Sequence, residues 1–308
     1  MRYLLVLLFL LTLNTSSFAQ KNFRFPAEDL KQLQAFEDTL TILSYAVVND
    51  SLPEARFAAT KKLIKSLVQS LKVENSFQYK FDRVKTMSVQ YPRDSSFRIF
   101  TWQLFVQNGD YRYYGAIQMN NSELELFPLV DRSAEVNNPE SDVLNNRSWY
   151  GNLVYKIHDF ETPKGTSYVL FGFDRINFFN KVKIADILTF KDGQPSFGAP
   201  VFVNNKGNGT QEIKSRLILQ YYAESTIKLN YEEVKEMIVY DHLIPFDGPH
   251  GFSFVPDGSY DGYKLENGFW ILQPKLYRQV QDTPFTPEPI LGQGRKSKKD
   301  LFGRSKNK

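Results

Sequence analysis

"SFRIFTWQLFVQNGDYRYYGAIQM", Ser96 to Met119, decides how the greater part of this chain folds. Two runs of apolar and aromatic residues with a period of two flank Gln107-Asn108-Gly109-Asp110. An Asn-Gly between alternating runs is the strongest short-range signal for a β-hairpin. The grammar repeats downstream. "VKIADILTF" (182–190) turns at Lys191-Asp192-Gly193 and is read as a strand rather than a short helix. "GYKL" and "FWILQ" flank Glu266-Asn267-Gly268, while "RLILQYYA", "TIKLNYE" and "EMIVYDHL" follow one another across short polar breaks. Ten to twelve strands between Phe77 and Leu276 are expected, joined mostly by hairpin-length loops, which implies an antiparallel meander or sandwich. With no repeat at a fixed period, a propeller is the secondary alternative.

Upstream the period is 3.6. Leu30, Leu33, Phe36, Leu40, Leu43 and Val47 mark one helical face, and Phe57, Ile64, Leu67, Val68 and Leu71 mark another. Asn49-Asp50 separates them, and Ser51-Leu52-Pro53-Glu54 has the pattern of a capping box. The expected class is therefore α+β: a helical hairpin over residues 20–75 and a mainly antiparallel β domain over 76–280. The polar interval 131–148 is a loop or a sub-boundary between two sheets. Residues 281–308 form a Pro/Gly-rich and basic tail, expected to be disordered.

"MRYLLVLLFLLTLNTSSFAQ" has a basic start, an apolar stretch from Tyr3 to Leu13 and small residues at Ser17 and Ala19. These are the parts of a secretory signal peptide spanning residues 1–19, with cleavage before Gln20. A retained anchor is the alternative, disfavoured because the stretch is shorter than the ~20 residues a spanning helix needs. No later stretch is apolar enough to span as a helix. The expected location is the periplasm, the outer surface or the medium.

The absence of cysteine excludes disulfides, thiolate metal sites and cysteine nucleophiles. The formal charge of +4 conceals an asymmetry. From Gly292 the tail carries seven basic residues and one acidic residue. Without it and without Arg2, 30 basic residues face 33 acidic ones. A mildly acidic body on an exported chain argues against nucleic acid. The tail suits an anionic envelope surface.

From Trp149 onward the chain resembles a family of exported bacterial proteins with no assigned activity. The shared words are "WYGNLVYKI" (149–157), "YVLFGFD" (168–174), "FGAPVF" (197–202), "YDHL" (240–243) and "PDGSYDGY" (256–263). The resemblance implies export and a β-rich fold, and brings no mechanism.

Two clusters are candidates for chemistry. Asp257, Ser259 and Asp261, with Gly262, match the opening of a calcium loop, but position 12 is Gly268 instead of the bidentate Glu. The favoured reading is a turn between two strands, with calcium as the alternative and no cofactor otherwise. Asp241, His242, Asp247 and His250 are the densest group of ligand-capable side chains, and would serve a zinc-assisted hydrolase if they converged. A Ser-His-Asp triad through Ser253 lacks the Gly-x-Ser-x-Gly elbow. Lys206-Gly207-Asn208-Gly209-Thr210 lacks the end of a phosphate loop and reads as a hairpin turn. Tyr and Trp, abundant in the strand patterns, offer a platform for glycans or fill the β core; the latter is favoured. The combined expectation is a non-enzymatic binding or structural component of the cell envelope, its partner a protein or a glycan.

Overall fold

The computed structural model describes residues 24–206 and 209–277; the segment 1–19 read as a signal peptide and the basic tail lie outside the described residues. Two helices, α1 (Ala27–Asn49) and α2 (Pro53–Leu71), form the expected hairpin. Glu28 and Asp29 occupy the first turn of α1, where negative charge favours the helix dipole. Leu33, Leu40 and Val47 of α1 and Leu63, Leu67 and Leu71 of α2 are buried. Ser51 does not cap α2. Leu52 takes the N-cap position without a side-chain bond and Pro53 occupies the first turn. Asp50 Oδ1 instead accepts the Leu52 N–H at 3.1 Å. Proline needs no N–H partner there and brings the φ that a first turn requires.

Sixteen strands follow among the described residues, more than expected, because several are short pieces that periodicity alone does not mark. In chain order they are β1 (Ser88–Gln90), β2 (Phe97–Phe105), β3 (Tyr111–Met119), β4 (Leu126–Val130), β5 (Leu144–Asn145), β6 (Leu153–Thr162), β7 (Gly165–Asp174) and β8 (Asn180–Lys191). Then come β9 (Gln194–Phe197), β10 (Phe202–Asn205), β11 (Gln211–Lys214), β12 (Arg216–Tyr222), β13 (Leu229–Glu232), β14 (Met237–Gly248), β15 (Gly251–Glu266) and β16 (Phe269–Tyr277). Three sheets result: β1-β2-β3-β4, then β5-β9-β8-β7-β6 with β12 also on β8, then β11-β10-β16-β15-β14-β13. All pairings between these strands are antiparallel except β10 with β16. The interval 131–148 carries the chain from the first sheet into the second.

The layers stack as helices, first sheet, second sheet, third sheet, and β2 shows why. Its even-numbered Phe100, Trp102 and Leu104 join the helices, while Phe97 and Ile99 join Leu170 of β7 and Leu188 of β8. Val169, Phe171, Ala185 and Ile187 leave the other face of the second sheet for Ile238, Tyr263 and Trp270 of the third. An inner sheet covered on both faces must be apolar on both, so its strands lose the simple alternation of a half-exposed sheet. Because the sheets pack face to face instead of radiating around a channel, the propeller alternative is set aside.

The three predicted Asx-Gly turns form as read. Asn108 and Gly109, Asp192 and Gly193, and Asn267 and Gly268 all have positive φ, between 50° and 83°, as the two-residue hairpin turn demands. "PDGSYDG" does not turn a corner. It lies inside β15, where Leu243 pairs with Pro256 and Asp241 with Tyr260, leaving only His242 opposite Asp257, Gly258 and Ser259. This bulge, with Gly258 at φ 84°, bends the strand without reversing it. Reversal occurs at Pro249-His250, between the paired Gly248 and Gly251. Lys206 to Thr210 joins the antiparallel β10 and β11, closed by Lys206 N–H to Thr210 O at 2.8 Å. No described helix is long and apolar enough to cross a membrane.

Candidate functional site

The β14–β15 hairpin carries both predicted clusters and spreads them along its length. Asp241 is buried, and its Oδ2 accepts the Lys228 N–H at 2.5 Å. Burial raises its pKa, opposed by that bond and by the charge of Lys183. His242 Nδ1 lies 2.8 Å from Asp261 Oδ2, and Asp261 Oδ1 accepts the Lys275 N–H at 2.8 Å. Asp247 is six residues further along β14, about 20 Å at ~3.3 Å per residue. His250 sits at the reversal, its ring stacked on Phe179 at 4.1 Å. Asp241, His242, Asp247 and His250 are therefore not brought around one ion. Only His242 acquires a carboxylate partner, and that partner is Asp261, a residue of the other cluster.

The calcium candidates are likewise engaged. Asp257 Oδ1 accepts the Ser259 N–H at 2.9 Å and its hydroxyl at 2.7 Å. The Ser259 bond, first among the causes, lowers the Asp257 pKa. Both oxygens of Asp261 are occupied as described. No group of three or more His, Asp or Glu placed to hold a metal occurs among the described residues. The Ser253 hydroxyl is buried and donates to Asn180 Oδ1 at 2.6 Å, remote from any nucleophile role.

What the hairpin does present is an arm. From Leu243 to Pro256 its two strands pair with each other and, among the described residues, with no third strand; toward the tip β13 reaches only Tyr240 and β16 only Tyr260. Phe246 and Ser253, a directly opposed pair, fasten one face: Phe246 meets Tyr222 with ring centroids 5.4 Å apart, and Ser253 holds Asn180. The opposite face carries Phe252, 59% exposed, edge-on to Phe254. Phe178 and Phe179, in the β7–β8 connection, are 52% and 41% exposed, and Phe179 meets the tip of the arm through His250. Phe178 lies over the β2–β3 turn so closely that a Cβ on Gly109 would fall 2.8 Å from its ring. All three tryptophans are buried. The abundant aromatics thus largely fill the core, and the exposed remainder on the arm is phenylalanine.

A second constellation, invisible as a cluster in the sequence, gathers Asp131, Tyr150, Gly151 and Asp174 around Tyr113. Asp131, at the end of β4, accepts the Tyr113 N–H through Oδ2 at 3.0 Å, and the Ser133 N–H and hydroxyl through Oδ1. Gly151 passes so near that a Cβ there would lie 2.3 Å from the Asp131 carboxyl carbon. Asp174 is buried beside Tyr113, whose hydroxyl oxygen accepts the Arg175 N–H at 2.7 Å. Burial, aided by the charge of Asp131 and opposed by the Tyr113 bond, pushes the Asp174 pKa up to about 7. Tyr150 is pushed up to about 12, first by burial and then by Asp174. Nearby, Arg216 and Asp186 form a fully buried pair, Nε to Oδ2 at 2.9 Å, with a second guanidinium nitrogen on Pro139 O. These groups tie β3, β4, β7, β8 and β12 together across the first two sheets. Their burial makes this a structural staple. Sequence reasoning registered "WYGN", "FGFD" and "FGAP" as words without seeing that they adjoin.

No protein family, curated protein or solved structure matches the chain.

Proposed function

We propose that this protein is an exported, non-enzymatic binding component of the cell envelope, and that the β14–β15 arm receives a partner protein. The observation that carries the reading is the arm: a two-stranded extension with unextended edges, an exposed Phe252 beside the half-buried Phe254, and Phe179 against His250 at its tip. Exposed aromatic anchors on a supported hairpin suit a protein partner, whose affinity concentrates in a few such residues. Sugar stacking favours the broad faces of Trp and Tyr, and the tryptophans are in the core. The leader and the family resemblance support export. The wide separation of Asp241, His242, Asp247 and His250 speaks against the hydrolase alternative.

The test is site-specific photo-cross-linking in the native host, with the photoreactive residue at Phe252 or, as control, at Lys164 in the exposed β6–β7 turn. A discrete protein adduct at 252 and none at 164 is expected. Phe254→Ser, which removes the ring packed edge-on against position 252, should lower its yield about 30-fold, the effect of an anchor worth roughly 2 kcal/mol. Equal adducts at both positions, or an adduct insensitive to Phe254→Ser, would refute the assignment of the arm.

A further inference from the structure

A different surface, the outer face of the helical layer, has no role in the partner reading. From Ala55 to Val73 the chain contains no Asp or Glu. Within this stretch α2 exposes Lys61, Lys62 and Lys65, its C-cap is the exposed Lys72, and none of them forms an ion pair among the described residues. Steps of four and seven residues put Lys61, Lys65 and Lys72 on one stripe, opposite the buried Leu63 and Leu67. Elsewhere Lys156, Lys206, Lys214, Lys228 and Lys235 each meet a glutamate. This stretch thus gathers positive charge with no acidic residue among it.

The adjoining α1 adds apolar surface facing the same way, since both helices lie on one face of the first sheet. Ile42 is 71% exposed and Tyr45 66% exposed, one turn apart. Leu52, between the helices, is 60% exposed and Ile64 is 38% exposed. These residues are large and lie outside the hydrophobic cluster that holds the helices to β2. Lysines alone would suit any polyanion. Lysines beside exposed Ile, Leu and Tyr on a flat two-helix face match an anionic bilayer surface, which takes the charges at its headgroups and the apolar tips at the acyl boundary.

We infer that the α1–α2 face docks on anionic lipid, holding the layered body against a membrane with Ile42, Tyr45 and Leu52 at the headgroup boundary and the α2 lysines on phosphate. The inference goes beyond the partner reading. It takes from that reading only its cellular setting, and a failed cross-link at Phe252 would leave the lipid result untouched.

The experiment is sedimentation of the mature full-length protein with phosphatidylcholine vesicles, with and without 30 mol% phosphatidylglycerol. Binding to the anionic vesicles alone is expected, and it should fall steeply with salt. Each lysine at an anionic surface is worth about fivefold in affinity, so Lys61→Gln/Lys65→Gln/Lys72→Gln should weaken binding by about two orders of magnitude. Gln keeps the helix, and an unchanged melting temperature verifies that. Ile42→Gln/Tyr45→Gln should weaken it about tenfold or more, through lost apolar burial. Lys296→Gln/Lys298→Gln/Lys299→Gln removes the same charge from the tail and should cost far less. Equal losses from the helix and tail triples, no effect of Ile42→Gln/Tyr45→Gln, or equal binding to both vesicles would each overturn the inference.

Discussion

Asp174→Asn tests whether the buried carboxyl between the first two sheets behaves as its surroundings require. Its pKa stands near 7 against a usual 3.8, raised first by burial and then by Asp131. A carboxyl raised in the folded state holds its proton there after the unfolded chain has released it. Folding stability from this group is therefore fully present below about pH 4 and is lost as pH rises through about 7. The difference of about three units corresponds to about 4 kcal/mol once Asp174 is ionised. His158 acts in the opposite sense. It is lowered from 6.5 to about 4, first by burial, so its contribution grows as pH rises from about 4 to 6.5. The two nearly cancel in the wild type over that window, and only the variant exposes either slope. Urea unfolding followed by tryptophan fluorescence from pH 4.5 to 8.5 suits the question, because Trp102, Trp149 and Trp270 are all buried. Asp174→Asn minus wild-type stability should climb by about 1.4 kcal/mol per pH unit up to pH 7 and then level off. A pH-independent difference, or one that falls with pH, would refute the reasoning.

Two structural predictions follow from the same region. Asp186→Ala leaves the Arg216 guanidinium buried without its carboxylate and should cost about 3–5 kcal/mol in chemical denaturation; a cost below 1 kcal/mol would show that water reaches the pair. Gly172→Ala puts a Cβ 2.1 Å from Asn152 Oδ1, an overlap that forces the buried Asn152 side chain off its bond to Tyr150 O, so a loss of about 1–3 kcal/mol is expected. The double variant Gly172→Ala/Asn152→Ala should recover much of that stability if the Asn152 contact is the cause.

Much of the architecture is legible in local signals. The change of period after Asn75, the three Asx-Gly turns and the strand reading of "VKIADIL" depend on residues within a few positions of each other, and all appear as read. The misreadings have a common origin. Ser51 and Glu54 fit a capping box, but Pro53 set the start of α2 one residue later. "PDGSYDG" contains turn dipeptides, yet β14 beside it offered a ladder, and a bulge satisfied both demands. Glu37 interrupts the apolar face of α1. It is buried because Tyr79 donates to it at 2.5 Å and Arg83 at 2.7 Å from more than 40 residues away.

The candidate sites divide in the same way. Sequence proximity grouped Asp241, His242, Asp247 and His250, but an extended strand carries neighbours apart at ~3.3 Å per residue and on alternate faces. Tertiary pairing gave His242 a partner 19 residues on, and gathered Asp131, Asp174, Asn152 and Arg216 from four words of sequence. The amino-acid sequence by itself determined the elements, because helix period, strand alternation and positive-φ turns are short-range steric and hydrophobic preferences. Only the tertiary structure decided which carboxylates meet which cations, which aromatics remain exposed, and that three sheets stack. Those outcomes depend on the register and layering of segments far apart in the chain, where burial of apolar faces outweighs local preference.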